Sequence, residues 1–188
     1  MNLKINGCGA IFAVFQKRFN TFKTLFVLLL FVLLGYYLFP EPKISKNIQI
    51  DHLVLYKSKR QLLAFSNEKL IKTYKVSLGK QPIGAKAYEG DLKTPEGHYT
   101  IFDKNPNSGY HKNLGISYPN SKDIQKAKHL GKPVGGAIKI HGIRNHFGLI
   151  GKFHRWFDWT LGCVALTNQE VDELYDAVKI GTPIDIMP

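Results

Sequence analysis

The chain has 188 residues, 44% apolar and 12% aromatic, which suits one folded domain with a hydrophobic core and a short additional segment. Basic residues outnumber acidic ones by 26 to 14, so the net charge is +12 at pH 7. These values exclude an array of several domains and a chain too poor in apolar residues to form a core.

An uncharged apolar run near the N-terminus predicts a transmembrane helix over residues 22–39. Residues 25–39 read LFVLLLFVLLGYYLF, and adding the preceding residues brings the run to the roughly 18–20 residues that a bilayer requires. Lys23 can extend its ammonium group toward the interface. A buried core helix is the alternative, but a run that is apolar on every face is more typical of a membrane span.

Basic residues before this run predict its orientation. Residues 1–21 contain Lys4, Lys17 and Arg18 and no acid, so we expect a short cytoplasmic leader and export of everything after Phe39. The following residues, GYYLFPEPK, lack a small-x-small cleavage pattern, which favours an uncleaved anchor over a signal peptide. The expected location is the cytoplasmic (inner) membrane, with the folded part facing the periplasm or cell exterior.

The two cysteines, Cys8 and Cys163, are predicted to lie on opposite sides of this membrane. Cys8 precedes the apolar run, so it is not a lipoprotein attachment site, and we interpret it as an inert cytosolic thiol. A lone exported cysteine indicates an intermolecular disulfide, a buried inert thiol or a reactive nucleophile. The residues around Cys163 must decide among the three.

The charge of the exported part is also informative. Removing the four cations up to residue 23 from +12 leaves +8. The predicted topology argues against nucleic acid as a partner and favours anionic cell-wall polymers or lipid head groups. A basic surface that serves only solubility is the other interpretation.

Hydrophobic alternation predicts a β-rich domain over residues 50–188, after a linker at 40–49. The first three strands form a β-meander with turns at 58–60 and 66–69. The predicted strands are IDHLVLYKS, QLLAFS, LIKTYKVSLG, HYTIFDKN (98–105), AIKIHG (137–142) and TPIDIM near the C-terminus.

Capping signals predict two helices. The first covers residues 120–130, begins at Asn120 or Ser121 and is stopped by Gly131. The second follows the capping box at 167–170 and ends at Gly181. Its apolar face consists of Val171, Leu174, Tyr175 and Val178. Cys163 therefore lies in the strand-and-turn segment directly before the second helix.

A nucleophilic thiolate needs a nearby base and a pocket that stabilises an oxyanion. Gly162, which precedes Cys163, lets backbone N–H groups approach a substrate oxygen because it has no side chain. The candidate bases are His141, His146 and His154. His141 ends the strand AIKIH and can face a cleft, whereas the other two fall in a predicted loop and are interpreted as solvated.

Several ordered motifs resemble the YkuD-type L,D-transpeptidases of bacterial cell walls. The segment IKIHG is followed by Thr-x-Gly-Cys, and GDLKTPEGHYTI at residues 90–101 matches the Thr-Pro-x-Gly strand entry of that family. The run KTPEGHYTIFDKNPNSGYHKNLGISYPN and the Asp-Trp-Thr-x-Gly-Cys segment are similar to the YafK-like branch. The resemblance covers roughly residues 50–187 and is more specific than the cysteine alone.

The resemblance implies a YkuD-like catalytic domain behind a single N-terminal transmembrane helix. It implies that Cys163 is the nucleophile, that His141 is its base and acid, and that the carbonyl of Gly142 orients the imidazole. Backbone amides of Leu161, Gly162 and Cys163 would form the oxyanion hole. The implied substrates are peptidoglycan stem peptides, with no cofactor and no metal.

The sequence departs from the family pattern in two places. Leu161 stands where many members have a histidine, and the spacing from His141 to Thr160 is longer than usual. The extra length predicts a loop at 143–158 that alters substrate choice.

Four residues near these motifs are candidate substrate contacts, namely Arg144, Trp159, Thr160 and Tyr118. The guanidinium of Arg144 could meet a substrate carboxylate, and a solvated surface position is the equal alternative. Trp159, together with Trp156 and Phe157, could pack around the loop or line a cleft.

The sequence leaves the reaction partly open. An amine acceptor for a Cys163 thioester gives transpeptidation, and water gives hydrolysis that releases a peptide or a wall-linked lipoprotein. A zinc-dependent wall amidase is a weaker alternative, because the three histidines from 141 to 154 match no tight ligand spacing. A non-catalytic wall-binding module is disfavoured because both Cys163 and His141 are present.

Overall fold

The computed structural model describes the backbone of residues 7–188 and the side chains of residues 16–188. It divides into two compact units, Met1–Glu41 and Pro42–Pro188. The prediction for Cys8 as a thiol, and that for the first six residues of the leader, lie outside these described parts.

The first unit contains one long helix, α1, over Gly7–Leu38. Its segment Gln16–Leu38 has 23 residues and is long and apolar enough to cross a bilayer, a property that signal sequences share. The helix ends where Pro40 follows, because proline disfavours helical dihedrals in the residue before it. The predicted span of 22–39 therefore lies within α1 except for its last residue.

Within the second unit the structure shows one curved sheet of eight strands, which confirms the predicted β-rich fold. The strands are β1 (His52–Tyr56), β2 (Gln61–Ser66), β3 (Lys69–Lys75), β4 (Gly97–Ser108), β5 (His111–Ile116), β6 (Lys139–His141), β7 (Val164–Ala165) and β8 (Pro183–Met187). Their spatial order is β3-β2-β1-β8-β4-β5-β6-β7. The helices are α2 (Ser121–His129) and α3 (Asn168–Ala177), and a 3₁₀ segment covers Gly148–Trp156.

The β-meander forms because apolar side chains alternate toward one face. Leu53 and Leu55 of β1 and Leu62 and Ala64 of β2 are buried, while the residues between them are not. Strands β1, β2 and β3 pair antiparallel as predicted. The segment predicted as a linker contributes Ile44 and Ile48, which pack against this core.

The chain beyond β3 closes the sheet beside the cysteine segment. Isolated bridges join Ser77 to Ala165 and Gly79 to Thr160. Since β7 also pairs parallel to β6, the residues before β7 lie between the 77–79 stretch and β6. This arrangement positions Cys163 at the edge of a strand rather than in a free loop.

Three elements differ from the sequence-based expectation. Strand β5 was not predicted, although the NPNSG sequence before it has the composition of a hairpin turn. Helix α3 ends at Ala177 rather than at Gly181, because Val178 adopts an extended conformation and bridges to Ile50. The predicted loop at 143–158 contains the 3₁₀ segment, which is interrupted at Gly151.

A buried ammonium group at the end of β1 binds the segment that connects β3 to β4. Lys57, only 2% exposed, donates to the carbonyl oxygens of Gly84 and Thr94 and to the Glu96 carboxylate, at 2.7, 2.9 and 2.8 Å. The Thr94 hydroxyl in turn accepts the amide N–H of Gly79 at 3.1 Å. Burial lowers the pKa of Lys57, and its partner Glu96 opposes that shift.

We expect Lys57→Ala to lower the free energy of unfolding by about 3 kcal/mol, because it leaves a partly buried carboxylate and two carbonyls without their donor. Chemical denaturation of the variant checks this value. The exposed neighbour gives a matched control, since Lys59→Ala should stay within about 0.5 kcal/mol of the parent. Equal effects of the two substitutions would contradict the role assigned to Lys57.

Candidate active site

A cavity of about 360 Å³ lies where β5, β6 and the segment before β7 meet. The residues that line it are Ser108, Tyr110, Asn113, Lys139, His141, Trp159, Thr160, Leu161 and Cys163. His141 pairs with Ala165 in the parallel β6–β7 register, so Cys163 lies two residues along the neighbouring strand. The sheet thus brings the two candidate catalytic side chains to one cavity.

Backbone contacts define the protonation state of His141. Its Nδ1 lies 2.6 Å from the carbonyl oxygen of Gly142, which can only accept a hydrogen bond. The neutral ring therefore carries its proton on Nδ1 and keeps an unprotonated Nε2. Burial, assisted by the charge of Lys139 and opposed by the bond to Gly142, lowers the pKa of His141 to about 4.

Helix α3 fixes the turn that carries this carbonyl. The Asn168 side-chain oxygen accepts the Ile143 amide at 2.9 Å. A Cβ atom on Gly142 would lie 2.8 Å from that oxygen, closer than real Cβ atoms approach, and 3.1 Å from the Tyr110 carbonyl oxygen, which is tighter than most real contacts. Glycine is thus favoured at 142 because Asn168 and the β4–β5 hairpin both close on it.

Cys163 is a free, partly exposed thiol whose Sγ donates weakly to the Ala137 carbonyl at 3.6 Å. Burial raises its pKa, while the backbone N–H of Lys139 and the charges of Lys139 and Lys86 act in the opposite direction. At neutral pH the pair is therefore a neutral thiol and a neutral imidazole.

The amides around the thiol are not equivalent. The Gly162 N–H donates to the Thr160 hydroxyl at 3.1 Å, and that hydroxyl donates to the Cys163 carbonyl at 2.8 Å. In the described part of the chain no such bond engages the amides of Leu161 and Cys163. Of the three amides predicted for an oxyanion hole, these two remain available to a ligand.

Aromatic rings surround the imidazole. The centroids of Tyr110 and Trp159 lie 4.6 and 5.7 Å from that of His141, which shields one side of the ring from water. Two buried polar atoms in the cavity wall, Asn113 Oδ1 and Trp159 Nε1, have no partner among the described residues. Both atoms are inaccessible to solvent, so each is an unsatisfied polar group in the cavity wall.

The predicted substrate contacts divide into two groups. Trp159 and Thr160 line the cavity, although the Thr160 hydroxyl is already used within the turn. Tyr118 does not line it, because it is buried in the core and donates to the Val134 carbonyl at 3.0 Å. Arg144 is exposed and also lies outside the cavity lining.

The other two histidines have different surroundings. His146 is exposed, as predicted. The prediction that His154 is solvated is wrong, because it is 2% exposed and its Nδ1 lies 3.1 Å from the Ser77 hydroxyl. Burial, assisted by the charges of Arg155 and His141, lowers the pKa of His154 to about 3. Among residues 7–188 no three His, Cys, Asp or Glu side chains are grouped so that they could hold a metal ion.

Sequence analysis did not identify Tyr110, Asn113 and Lys139 as cavity residues. Two of them lie on the β4–β5 hairpin, whose second strand was not predicted. Asn113 faces His141 in the antiparallel β5–β6 register. Recognising the turn at Ser108–Tyr110 would have predicted this hairpin and placed both residues beside the AIKIH strand.

Comparison with known proteins identifies the family. The model of the YkuD family, described as an L,D-transpeptidase catalytic domain, matches residues 50–186. The chain belongs to this family. YafK of Escherichia coli (strain K12), whose name places it among the L,D-transpeptidases, is 29% identical over 111 residues, which is 58% of this chain and 37% of YafK.

Two solved structures are similar to this YkuD-family chain. Pgp2 from Campylobacter jejuni, titled a helical cell shape determining protein, is 26% identical with a TM-score of 0.56, covering 78% of this chain and 51% of Pgp2. Bd1075 from Bdellovibrio bacteriovorus is 25% identical with a TM-score of 0.51, covering 77% and 50%. The chain spans about half the length of these proteins, or less.

Two neutral buried histidines make the stability of this YkuD-family domain depend on pH. The folded-state pKa values of His141 and His154 are about 4 and 3, below the value of about 6.5 in an unfolded chain. The unfolded chain therefore binds more protons in this window, and the free energy of unfolding falls as the pH drops from about 6.5 toward 4. Thermal unfolding in detergent between pH 7.5 and 5 measures this fall.

A single substitution should reduce that dependence. In His154→Asn the Asn amide can replace the Nδ1 donor to Ser77 but cannot be protonated. We expect the variant to be less stable than the parent at pH 7.5 and the difference in melting temperature to shrink at pH 5. A difference that stays constant or grows would contradict a neutral His154.

Proposed function

We propose that this domain catalyses acyl transfer between peptidoglycan stem peptides through a thioester on Cys163. The observation that carries the proposal is the cavity that Cys163 shares with His141, whose Nδ1–H is held by the Gly142 carbonyl so that Nε2 is left as a base. The L,D-transpeptidase family of the chain supports peptidoglycan as the substrate. The similarity to Pgp2, which is described as a helical cell shape determining protein, supports a role in remodelling the wall.

The proposed reaction begins with proton transfer. His141 Nε2 takes the Cys163 proton while the sulfur attacks the carbonyl carbon of a stem peptide, and the developing oxyanion accepts hydrogen bonds from the amides of Leu161 and Cys163. Collapse of the tetrahedral intermediate breaks the C–N bond, and the imidazolium returns its proton to the leaving amine. An acceptor amine then attacks the thioester, His141 takes its proton, and the thiol is restored.

Lys139 has a supporting role in this proposal. Its charge and its backbone N–H both lower the pKa of the Cys163 thiol, against the effect of burial. The same charge stabilises a thiolate while it forms and can attract a carboxylate on the donor peptide. Two other predicted contacts, Arg144 and Tyr118, have no part in it, because neither lines the cavity.

The proposed location is the cytoplasmic membrane, with α1 as the anchor and the catalytic unit outside. The apolar segment Gln16–Leu38 and the cations Lys17 and Arg18 at its N-terminal end support this orientation. Peptidoglycan lies on that side of the membrane, which makes the location consistent with the proposed substrate.

Hydrolysis is the second candidate function. Cys163 is partly exposed, and Leu161 at the cavity wall is 69% exposed, so water can reach a thioester formed there. The same two catalytic residues would then release a peptide, or a lipoprotein attached to the wall. The competition between water and an amine decides which product dominates.

We expect Cys163→Ala to abolish activity on wall peptides and Cys163→Ser to be nearly inactive, because a hydroxyl is much harder to deprotonate than a thiol. His141→Gln should lower the rate by about 10²–10⁴-fold. Mass spectrometry of wall peptides over time measures these rates. His146→Asn is the matched control, since His146 is exposed and Asn tolerates its φ of 71°. If the control lost as much activity as His141→Gln, the assignment of the base would be wrong.

The acceptor can be tested separately. Incubating the protein with wall fragments and increasing concentrations of an amino-acid amine should produce peptides that carry the added amine, because a bound amine captures the thioester before water does. The ratio of aminolysed to hydrolysed product should rise with amine concentration. Hydrolysed ends alone at every concentration would contradict transfer and support the hydrolase with the same site.

A further inference from the structure

Residues 147–161, which include the 3₁₀ segment, carry several exposed apolar side chains, and one of these residues, Leu161, lines the active-site cavity. Phe147, Ile150, Phe157 and Leu161 are 53%, 40%, 61% and 69% exposed, and we call these four residues the apolar rim. Trp156, 60% exposed, lies within the same stretch. Exposed apolar residues are grouped in the chain here, at Phe147, Leu149 and Ile150 and again at Trp156 and Phe157, and such grouping is more typical of an interaction site than of singly scattered surface residues.

Basic residues outnumber acidic ones in this stretch. From Arg144 to Leu161 the sequence contains Arg144, Lys152 and Arg155 and a single acid, Asp158, which is paired with Arg60. Aromatic and aliphatic side chains interspersed with cations are typical of segments that lie in the interface of an anionic membrane. The charge pattern therefore favours a lipid surface over an acid-rich protein surface that lacks apolar groups.

The length of the chain before the domain restricts where this rim can be. Helix α1 ends at Leu38, and Ile44 already packs against the core of the second unit. Six residue steps span at most about 22 Å when fully extended. A domain on so short a tether stays within reach of the surface where α1 would leave the bilayer.

The segment after α1 and the 3₁₀ segment both lie next to the first turn of α3. Lys43 and Ile44 border a surface groove together with Gln169 in the first turn of α3. The neighbouring Asn168 contacts Gly148, where a Cβ atom would lie 2.9 Å from the Asn amide nitrogen. Gly148 begins the 3₁₀ segment, so the domain's attachment point and its apolar rim lie on adjacent parts of its surface.

We propose that the apolar rim docks into the interface of the anionic bilayer that α1 spans, and so holds the catalytic cavity at the membrane surface. This inference rests on the proposed membrane location. Leu161 belongs to the rim and also lines the cavity, so docking brings the cavity to the level of the lipid head groups. The enzyme would then act on peptidoglycan strands closest to the membrane.

Depth-dependent quenching of tryptophan tests the docking. The chain has two tryptophans, so Trp159→Phe leaves Trp156 as the sole emitter. The full chain is reconstituted in vesicles of phosphatidylcholine and phosphatidylglycerol whose acyl chains are brominated. We expect strong loss of Trp156 emission relative to vesicles without bromine, and a weaker loss when phosphatidylglycerol is omitted.

The matched control moves the emitter to an exposed position elsewhere on the domain. Leu70 is 46% exposed on β3 and lies seven residues before Ser77, about 23 Å along an extended strand. Ser77, two residues beyond the end of β3, contacts His154 of the 3₁₀ segment, whereas Leu70 lies at the opposite, N-terminal end of β3. The chain with Leu70→Trp, Trp156→Phe and Trp159→Phe should show little quenching.

A second variant links the quenching to the rim. Phe147→Ser with Phe157→Ser should reduce the quenching of Trp156 and leave the melting temperature nearly unchanged, because both side chains are exposed. Equal quenching of Trp156 and of a tryptophan at position 70 would overturn the docking. A blue-shifted Trp156 that bromine does not quench would also overturn it, because a second copy of the chain would then cover the rim.

Flotation with the vesicles separates this inference from the proposed location. If the full chain does not float, the membrane location fails, and the docking fails with it. If it floats, and the parent chain transfers acyl groups to an added amine, while Trp156 in the Trp159→Phe chain is not quenched, the proposed function stands and only the docking is wrong.

Discussion

Close backbone contact at Gly79 and Gly162 is the constraint on which the rest of the site depends. A Cβ atom on Gly79 would lie 2.2 Å from the Leu92 carbonyl oxygen, and one on Gly162 would lie 2.7 Å from the Lys93 carbonyl oxygen. Gly162 also has a φ of 137°, which side chains with a Cβ rarely adopt. Because three chain segments meet without side chains here, the turn before Cys163 is held by backbone atoms and is rigid where a reacting carbonyl would bind.

This packing explains why the Thr-Pro-x-Gly motif is more than a turn. Thr94 is fully buried, its hydroxyl accepts the Gly79 amide and its carbonyl accepts a hydrogen bond from Lys57. The segment at residues 92–94 therefore connects the buried ammonium group of Lys57 to the turn before Cys163. The Lys57 ion pair, which lies outside the cavity, is thus linked through the hydrogen bonds of Thr94 to the segment that holds the thiol in place.

Much of the fold could be predicted from local sequence, and the site only in part. Alternation and capping boxes predicted the meander and both helices of the second unit, because these signals depend on neighbouring residues. Non-local effects decided the rest. His154 is buried because Ser77, far away in sequence, supplies its partner, and the Gly162 amide is engaged because the Thr160 hydroxyl folds back onto it. Neither contact corresponds to a residue spacing that could be recognised in the sequence.

A leucine, Leu161, precedes the Gly162-Cys163 pair and lines the cavity, so this position of the wall carries no imidazole. In this chain a second imidazole, His154, lies behind Trp159, and the edge of its ring faces the indole with a centroid distance of 6.5 Å. His154 does not line the cavity, and its ring packs against the indole of Trp159, which does. Leu161 meanwhile leaves the cavity entrance apolar and exposed. Proton transfer in the proposed mechanism therefore depends on His141 alone, and the entrance is left to select substrates by apolar contact.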